Sequence, residues 1–314
     1  MKKKISIIGF GYNVNKNIIQ ALKNSKNLEI DKIYVKKKRQ NNTNFAKYEF
    51  QSIDSLKNIK KHSWFYVSTP ISSHYAIVKK LINLKVNVIC EKPLTDSVHK
   101  TKTLLNLLKN KHQLSLIEVQ MYKFHKLYDY FKKFIKKNKK KISEVNLTFR
   151  IPKVNSQNSI YSKKKSGGAL LSLGFYPVTT AIDIFGYPKN IKSNLKFCKK
   201  KNIDIEGSFA LKYSKIICNG YWGLGLNYEN KAQVIFKDKT SFVFNMFYAK
   251  NKDVKCTVEK VNKKNKIIKT FQVGKDNQFL NMITTCVYDK KRKYNINDKN
   301  VQTIMLLKTI QKNL

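Results

Sequence analysis

At 314 residues, with 42% hydrophobic and 12% aromatic side chains, the chain can bury a full core and is long enough for two domains. That composition excludes a disordered polymer, and no apolar run reaches the ~18 residues a membrane helix needs. The formal charge of +45 points toward nucleic acid, yet all but three of the 64 basic residues (Arg39, Arg150 and Arg292) are lysine. Arginine is the residue suited to bidentate reading of bases and phosphates, so no specific nucleic-acid partner is indicated. The lysines are spread along the whole chain, beside abundant asparagine and isoleucine, and read as a solvated coat that would attract polyanions at low salt.

The opening Met-Lys-Lys-Lys resembles the charged end of a signal peptide, but the following ISIIGFGYNVNKN is broken by glycines and polar residues and offers no small-residue cleavage site. A cytoplasmic protein without a membrane partner is expected. Cys90, Cys198, Cys218, Cys256 and Cys286 are widely scattered with no CxxC or Cys/His cluster, so neither a disulfide framework nor a metal site is indicated.

The first predicted strand, Ile5 to Ile8, runs directly into Gly9-Phe10-Gly11-Tyr12, and a helical pattern follows through Ile18, Ile19, Ala21 and Leu22. Strand, GxG, helix is the context in which glycines permit a tight turn and close backbone approach to a pyrophosphate at a helix N-terminus. Val14 stands where a third glycine would. The second strand, Ile33 to Val35, ends in Lys36-Lys37-Lys38-Arg39 rather than in the acid that would bind ribose hydroxyls. Lys36 and Lys37 would attract a 2′-phosphate, which favours NADP over NAD.

Trp64 to Ser68 is the next buried strand, closed by Thr69-Pro70, with a helix through Ala76, Ile77, Leu81 and Ile82. The apolar run from Val86 ends abruptly in Glu91-Lys92-Pro93, because proline cannot continue a ladder that needs its N–H. A charged pair is thereby delivered to the carboxyl end of a buried strand, where ligands bind in open α/β sheets. A helix from about 95 to 110 and a strand from Leu114 to Glu118 follow. The alternation predicts a doubly wound parallel sheet of Rossmann type over residues 1–120.

Residues 121–314 change character. A helix runs from Tyr122 to Lys139, and Val145 to Phe149 is strand-like. Gly167-Gly168 leads into an apolar helix from Ala169 to Phe185, on which Asp183 reads as an exposed acid. Strand candidates follow at 191–198, 204–213, 215–222, 231–237, 241–248, 254–261 and 266–273, then helices near 277–288 and 298–312. Successive strands with short turns predict an α+β domain with a large, mostly antiparallel open sheet.

Taken together, Gly9-Phe10-Gly11, Thr69-Pro70 with His74, Glu91-Lys92-Pro93, and Gly167-Gly168-Ala169-Leu170-Leu171 with Gly174 resemble, in order, the motifs of the Gfo/Idh/MocA oxidoreductases. The resemblance covers nearly the whole chain. It implies an N-terminal NAD(P)-binding domain contacting cofactor through Gly9, Phe10, Gly11, Tyr12, Ser68, Thr69, Pro70, His74, Glu91 and Lys92. It also implies a C-terminal domain that forms the substrate side and often a homo-oligomer interface. Lys92 matches the family's motif lysine near the nicotinamide and the reacting oxygen. Ser172 and Tyr176 stand where many members carry an aspartate and a histidine. Tyr176-Pro177 resembles the branch containing glucose–fructose oxidoreductase, dihydrodiol dehydrogenases and nucleotide-sugar ketoreductases, in which the tyrosine is the proposed acid.

The expected activity is hydride transfer between nicotinamide and a carbinol or ketone carbon of a sugar or nucleotide sugar. Lys92 supplies charge and a hydrogen bond to the oxygen, and Tyr176 the proton. His125 and Ser172 are further candidates for the substrate side, His125 reading equally as packing. His74 reads as structural or as near the cofactor. Two other functions fit the chain: a non-catalytic dinucleotide sensor, favoured by Val14 and Ser172, and a polyanion binder, favoured by charge alone.

Overall fold

The structure is a computed structural model and describes residues 2–36, 48–56 and 59–312. The chain divides into two compact units: Met1–Gln120 with Phe279–Asn297, and Met121–Gln278 with Asp298–Leu314.

In the first unit, strands β1 (Lys3–Ile8), β2 (Leu28–Val35), β3 (Glu49–Ser52), β4 (Trp64–Val67), β5 (Asn87–Cys90) and β6 (Leu116–Glu118) form one sheet in the order β3-β2-β1-β4-β5-β6. Every neighbouring pair is parallel. Helices α1 (Ile19–Lys23), α2 (Ile71–Asn83) and α3 (Val98–Lys109) connect strands. All four residues of β4 and of β5 are buried, as the unbroken apolar runs require of parallel strands covered on both faces. Val78, Leu81 and Ile82 of α2 and Leu104 and Leu108 of α3 share one core with Val67, Val88, Cys90 and Leu94. Burying each such side chain contributes roughly 1.5–3 kcal/mol. The strand order reverses about β1, so the crevice between the carboxyl ends of β1 and β4 is the topological switch point.

The second unit holds an eight-stranded sheet. Its strands are β7 (Ile142–Ile151), β8 (Asn190–Cys198), β9 (Ile203–Tyr213), β10 (Ile216–Leu224), β11 (Glu229–Phe236), β12 (Ser241–Asn245), β13 (Cys256–Val261) and β14 (Ile267–Gly274). They lie in the order β14-β13-β12-β11-β7-β10-β9-β8. Only β7 and β10 pair in parallel; the other neighbours are antiparallel. Alternation along β7 sends Val145, Leu147 and Phe149 inward, beneath α5 (Phe175–Phe185), while α4 (Lys126–Asn138) sets its aromatic rings against β11 and β12. The core is aromatic: Phe131 of α4 meets Phe244 and Phe247 at 5.1 and 4.8 Å between ring centroids. Against the expectation that no segment has the length and composition of a membrane span, the helical stretch Lys163–Phe185 does, and 78% of its most apolar window is buried inside this unit.

The segment 279–297, comprising most of α6 (Gln278–Tyr288) and the turn after it, corrects the expected boundaries. It was assigned with 121–314 but packs into the first unit. The backbone shows why. The Ile296 N–H donates to the Leu116 carbonyl at 2.9 Å, and Asn295 accepts from Leu116 N–H (3.2 Å) and donates to the Leu114 carbonyl (3.1 Å). The exposed edge of β6 is thereby capped, and Ile296, 5% exposed, completes the apolar core. The chain then returns to the second unit as α7 (Asp298–Lys312).

Candidate active site

β1 runs into Gly9, which takes φ +94°; a Cβ there would run into the Ser68 carbonyl oxygen. No other residue fits this conformation at so close an approach. Gly9 N–H donates to the Tyr34 carbonyl at 2.9 Å and Ser68 N–H to the Ile8 carbonyl at 2.8 Å, so the turn continues the ladders on both sides. Gly11 is different: it is exposed, and nothing lies within 4 Å of the place a Cβ would occupy. Free space above a glycine at the start of a helix suits the backbone approach of a phosphate. The helix begins with a π turn, Val14–Ile18, in which Val14 is fully buried where the fingerprint would have a third glycine. Phe10, 7% exposed, sets its ring against Phe50 at 5.0 Å, whereas Tyr12 is 73% exposed and accepts a hydrogen bond from Lys16. Lys36 is exposed at the end of β2; Lys37 lies outside the described residues.

Three side chains tie the turns at the carboxyl ends of the strands together. Glu91 accepts from the Tyr66 hydroxyl at 2.6 Å and, on the same oxygen, from the Asn13 amide, so it braces the glycine turn against β4. His74, 1% exposed on α2, sets Nε2 2.8 Å from the Thr69 carbonyl and Nδ1 2.9 Å from the Pro93 carbonyl. Glu118, 6% exposed, accepts from Leu94 N–H at 2.6 Å and from the Gln120 amide at 2.9 Å. Ser68, Thr69 and Pro70 form the turn between β4 and α2, with the Ser73 hydroxyl 2.9 Å from Thr69 Oγ1.

Lys92 lies two residues beyond the end of β5, after Glu91, and precedes a cis peptide bond to Pro93. Burial pulls its ammonium down to about 8, against the charges of Glu91 and Glu118, which raise it. A lysine in that range stays cationic at neutral pH and exchanges its proton readily just above it.

In the second unit a π turn, Leu170–Gly174, carries Ser172 and leads into α5, whose second residue is Tyr176. Gly168 takes φ +114°, and a Cβ there would meet Asp204 Oδ1. The Asp204 carboxylate accepts from Leu170 N–H and so caps the helix that bears Ser172 and Tyr176. Burial pushes the Asp204 carboxyl up to about 6, against the backbone N–H groups that favour its charge. Tyr176 is 5% exposed, ringed by Phe149 (4.9 Å), Tyr248 (5.3 Å) and Tyr122 (5.7 Å), with its hydroxyl 4.0 Å from Met121 Sδ. His125 caps α4: its Nδ1 accepts from Leu127 N–H at 3.0 Å, which leaves the proton on Nε2, 3.8 Å from Cys256 Sγ. Burial, with Lys250 and Lys126, drives its pKa down to about 4 against Asp276, so the ring is neutral. These contacts are those of a packing residue.

Asp183 is a correction. Far from an exposed helix acid, its side chain is 15% exposed, accepts from the Tyr128 hydroxyl at 2.7 Å and pairs with Lys299 (3.2 Å), Lys123 (3.5 Å) and Lys132 (4.0 Å). The segments that surround it fold from distant parts of the chain, so sequence position alone gave no sign of its partners.

The first unit thus gathers Gly9, Gly11, Ser68, Thr69, Pro70, Glu91 and Lys92 at the carboxyl edge of one sheet; the second carries Ser172 and Tyr176 on one helical run. Asn13, Tyr66 and Asp204 escaped the sequence reading. Tyr66 had a usable signal, a hydroxyl in an otherwise apolar buried strand, which needs a partner. Asn13 and Asp204 had none.

The model of the Gfo/Idh/MocA family, an oxidoreductase family with an NAD-binding Rossmann fold, matches residues 3–119. An uncharacterized oxidoreductase of Escherichia coli K12, YgjR, is 21% identical over 220 residues, covering 67% of this chain and 66% of that one. The dTDP-3,4-didehydro-2,6-dideoxy-alpha-D-glucose 3-reductase of Saccharopolyspora spinosa is 26% identical over 149 residues, 47% of this chain and 45% of that one. The match therefore spans two thirds or less of these relatives' length. KijD10, a 3-ketoreductase from Actinomadura kijaniata solved with NADP and TDP-benzene, shares the fold across 100% of this chain and 98% of its own, with a TM-score of 0.88 at 16% identity. The glycine turn and the lysine that follows β5 both lie within the matched residues 3–119, so this part of the chain is similar to the NAD-binding Rossmann domain of the Gfo/Idh/MocA oxidoreductases.

Proposed function

We propose that this protein is an NAD(P)-dependent oxidoreductase acting on a carbinol or ketone carbon of a sugar, with a nucleotide-linked sugar as the favoured substrate and NADP as the favoured cofactor. The observation that carries this reading is Lys92: an ammonium lowered to about 8, set in the turn after β5 within the influence of Glu91 and Glu118. The dinucleotide-binding family, the reductase named among the relatives and the ketoreductase fold support it.

The residues present fit a dinucleotide. Gly11 leaves room for a phosphate at the helix start, Gly9 holds the turn, and Ser68, Thr69 and Pro70 border the same crevice. When bound, the nicotinamide supplies or accepts the hydride. Lys92 donates to the substrate oxygen and stabilises the negative charge that builds there during reduction; a fixed cation in a partly dehydrated site does so without reorganising. Glu91 and Glu118 keep that lysine cationic at neutral pH. Tyr176, on the second unit's capped helix, is the proposed proton donor, with Ser172 one turn before it. Lys36 and Lys37 are the proposed partners of a 2′-phosphate.

The same reading has the enzyme working in the cytoplasm as a homo-oligomer joined through the face of the large sheet turned away from α4 and α5. Titrating NADPH and NADH against protein fluorescence, then following NADPH consumption over a panel of nucleotide-linked keto sugars, tests the proposal. Binding of neither dinucleotide would overturn it; binding with no turnover across the panel would favour a dinucleotide sensor.

A further inference from the structure

The helical run that carries Ser172 and Tyr176 is held from outside itself. The first N–H groups of a helix have no partner within it. Here the side chain that takes them up comes from β9: Asp204, 8% exposed, accepts from Leu170 N–H, and the N–H groups of Ala169 and of Asp204 itself also favour its charge. Gly168 makes room for this, because a Cβ there would strike Asp204 Oδ1. Leu170 opens the π turn Leu170–Gly174, a form that is rare and found mostly at functional sites. The far end of the turn rests on Trp222, whose indole would meet a Cβ placed on Gly174. We propose that Asp204 is a positioning residue: its carboxylate holds this π turn at its start and so sets where Ser172 and Tyr176 stand, and protonation of the carboxylate releases that hold.

A carboxylate offers only acceptors, and three N–H groups use them. A carboxylic acid must place one O–H, and around Asp204 that donor would face N–H groups that are donors themselves. At least one of them then loses its bond, and the start of the turn moves. A π turn takes in one residue more than an α turn, so its relaxation to α would turn Ser172 against Tyr176 by up to about 100°. Burial favours the acid and outweighs the N–H groups, which raises the carboxyl to about 6. Lys163, Lys164 and Lys165, in the turn before Gly167, and Lys201, before β9, are exposed, with Lys201 4.0 Å above the Tyr161 ring. Glu206, further along β9, pairs with Lys196 at 3.8 Å. None of these charges is among the influences on Asp204. Protonation therefore relieves a buried charge while it undoes the hold on the turn. Stability and activity part: as pH falls through about 6, the fold gains and the site loses.

The effect on turnover rests on the oxidoreductase reading; the hold on the turn does not. Amide exchange of the full-length protein reads Leu170 directly, as a protection factor from which the intrinsic pH dependence of exchange has been removed. In the wild type that factor should fall at least about fivefold between pH 7.5 and pH 5, and in Asp204→Asn it should be low at both. Equal protection at the two pH values in the wild type would overturn the proposal whatever the protein's activity, and this measurement decides even where Asp204→Asn does not fold. One unit below its pKa a carboxyl is about one-tenth ionised, so wild-type kcat should fall about tenfold at pH 5 along an acid limb centred near pH 6. Asp204→Asn should show a low kcat without that limb, while urea unfolding moves the other way, the wild type gaining stability relative to the variant over the same range. The same limb in both proteins would show that Asp204 only supports the fold and would refute the positioning role. A wild type that turns over no sugar substrate counts against the oxidoreductase reading and leaves the exchange measurement to decide the hold.

Discussion

Replacing Asp183 by asparagine should weaken the second unit in a pH-dependent way. Burial raises the carboxyl's pKa, but Lys123, the Tyr128 hydroxyl, Lys299 and Lys132 outweigh it and hold the group at about 2, against an ordinary 3.8. At about 1.4 kcal/mol per pKa unit, that difference is worth about 2–3 kcal/mol of stability at neutral pH. Because the folded pKa is the depressed one, the contribution is complete above the unfolded value and fades as pH falls through the folded value. It should halve by about pH 3 and nearly vanish by about pH 2. Asp183→Ala should cost more, since the hydroxyl of Tyr128, 1% exposed, loses its acceptor; an orphaned buried donor adds about 1–3 kcal/mol. The assay is urea unfolding in a Trp64→Phe background, so that Trp222 alone reports on the second unit. A loss below about 0.5 kcal/mol, the size of an exposed ion pair, would refute the reasoning. So would a loss of equal size at pH 7 and pH 2.

The two turn glycines should separate folding from binding. Gly9→Ala meets the Ser68 carbonyl at φ +94° and should destabilise the first unit by about 2–4 kcal/mol by thermal unfolding. Gly11→Ala, with open space at its Cβ, should unfold like the wild type yet bind NADPH at least tenfold more weakly in a fluorescence titration; unchanged affinity would remove Gly11 from the cofactor site. Asp204 should act opposite in sign to Asp183. Its folded pKa, raised to about 6, lies above the unfolded value, so its stabilising protonation is complete at low pH and is lost as pH rises through about 6. Between pH 7.5 and 4.5 the wild type should gain about 2 kcal/mol relative to Asp204→Asn, measured by the same Trp222 unfolding assay.

Much of this fold was legible because its elements follow simple periodicities. The runs Trp64–Val67 and Asn87–Cys90 are apolar on both faces, as buried parallel strands must be, and the antiparallel strands of the second unit alternate. β3 was missed because Glu-Phe-Gln-Ser is short and polar, and an edge strand buries too little to write a pattern. The parallel pairing of β7 with β10 and the return of 279–297 to the first unit depend on contacts far apart in sequence. Motif spacing pointed to Glu91 and Lys92, but Glu91's bonds to Tyr66 and Asn13, and the two-carbonyl clip at His74, arise only when separate turns converge. Asp204 lies in a strand remote from the helix it caps, which no local rule connects.

The central claim is that one lysine, Lys92, carries the transition-state charge. It is tested most directly by comparing wild type and Lys92→Ala on the first nucleotide-linked keto sugar that the enzyme reduces, with NADPH affinity measured on the same samples. Removing a preorganised donor from an oxyanion site costs about 10²–10³ in turnover, so kcat should fall by at least that much while NADPH affinity stays within about threefold. Turnover in Lys92→Ala within about tenfold of the wild type would contradict the account.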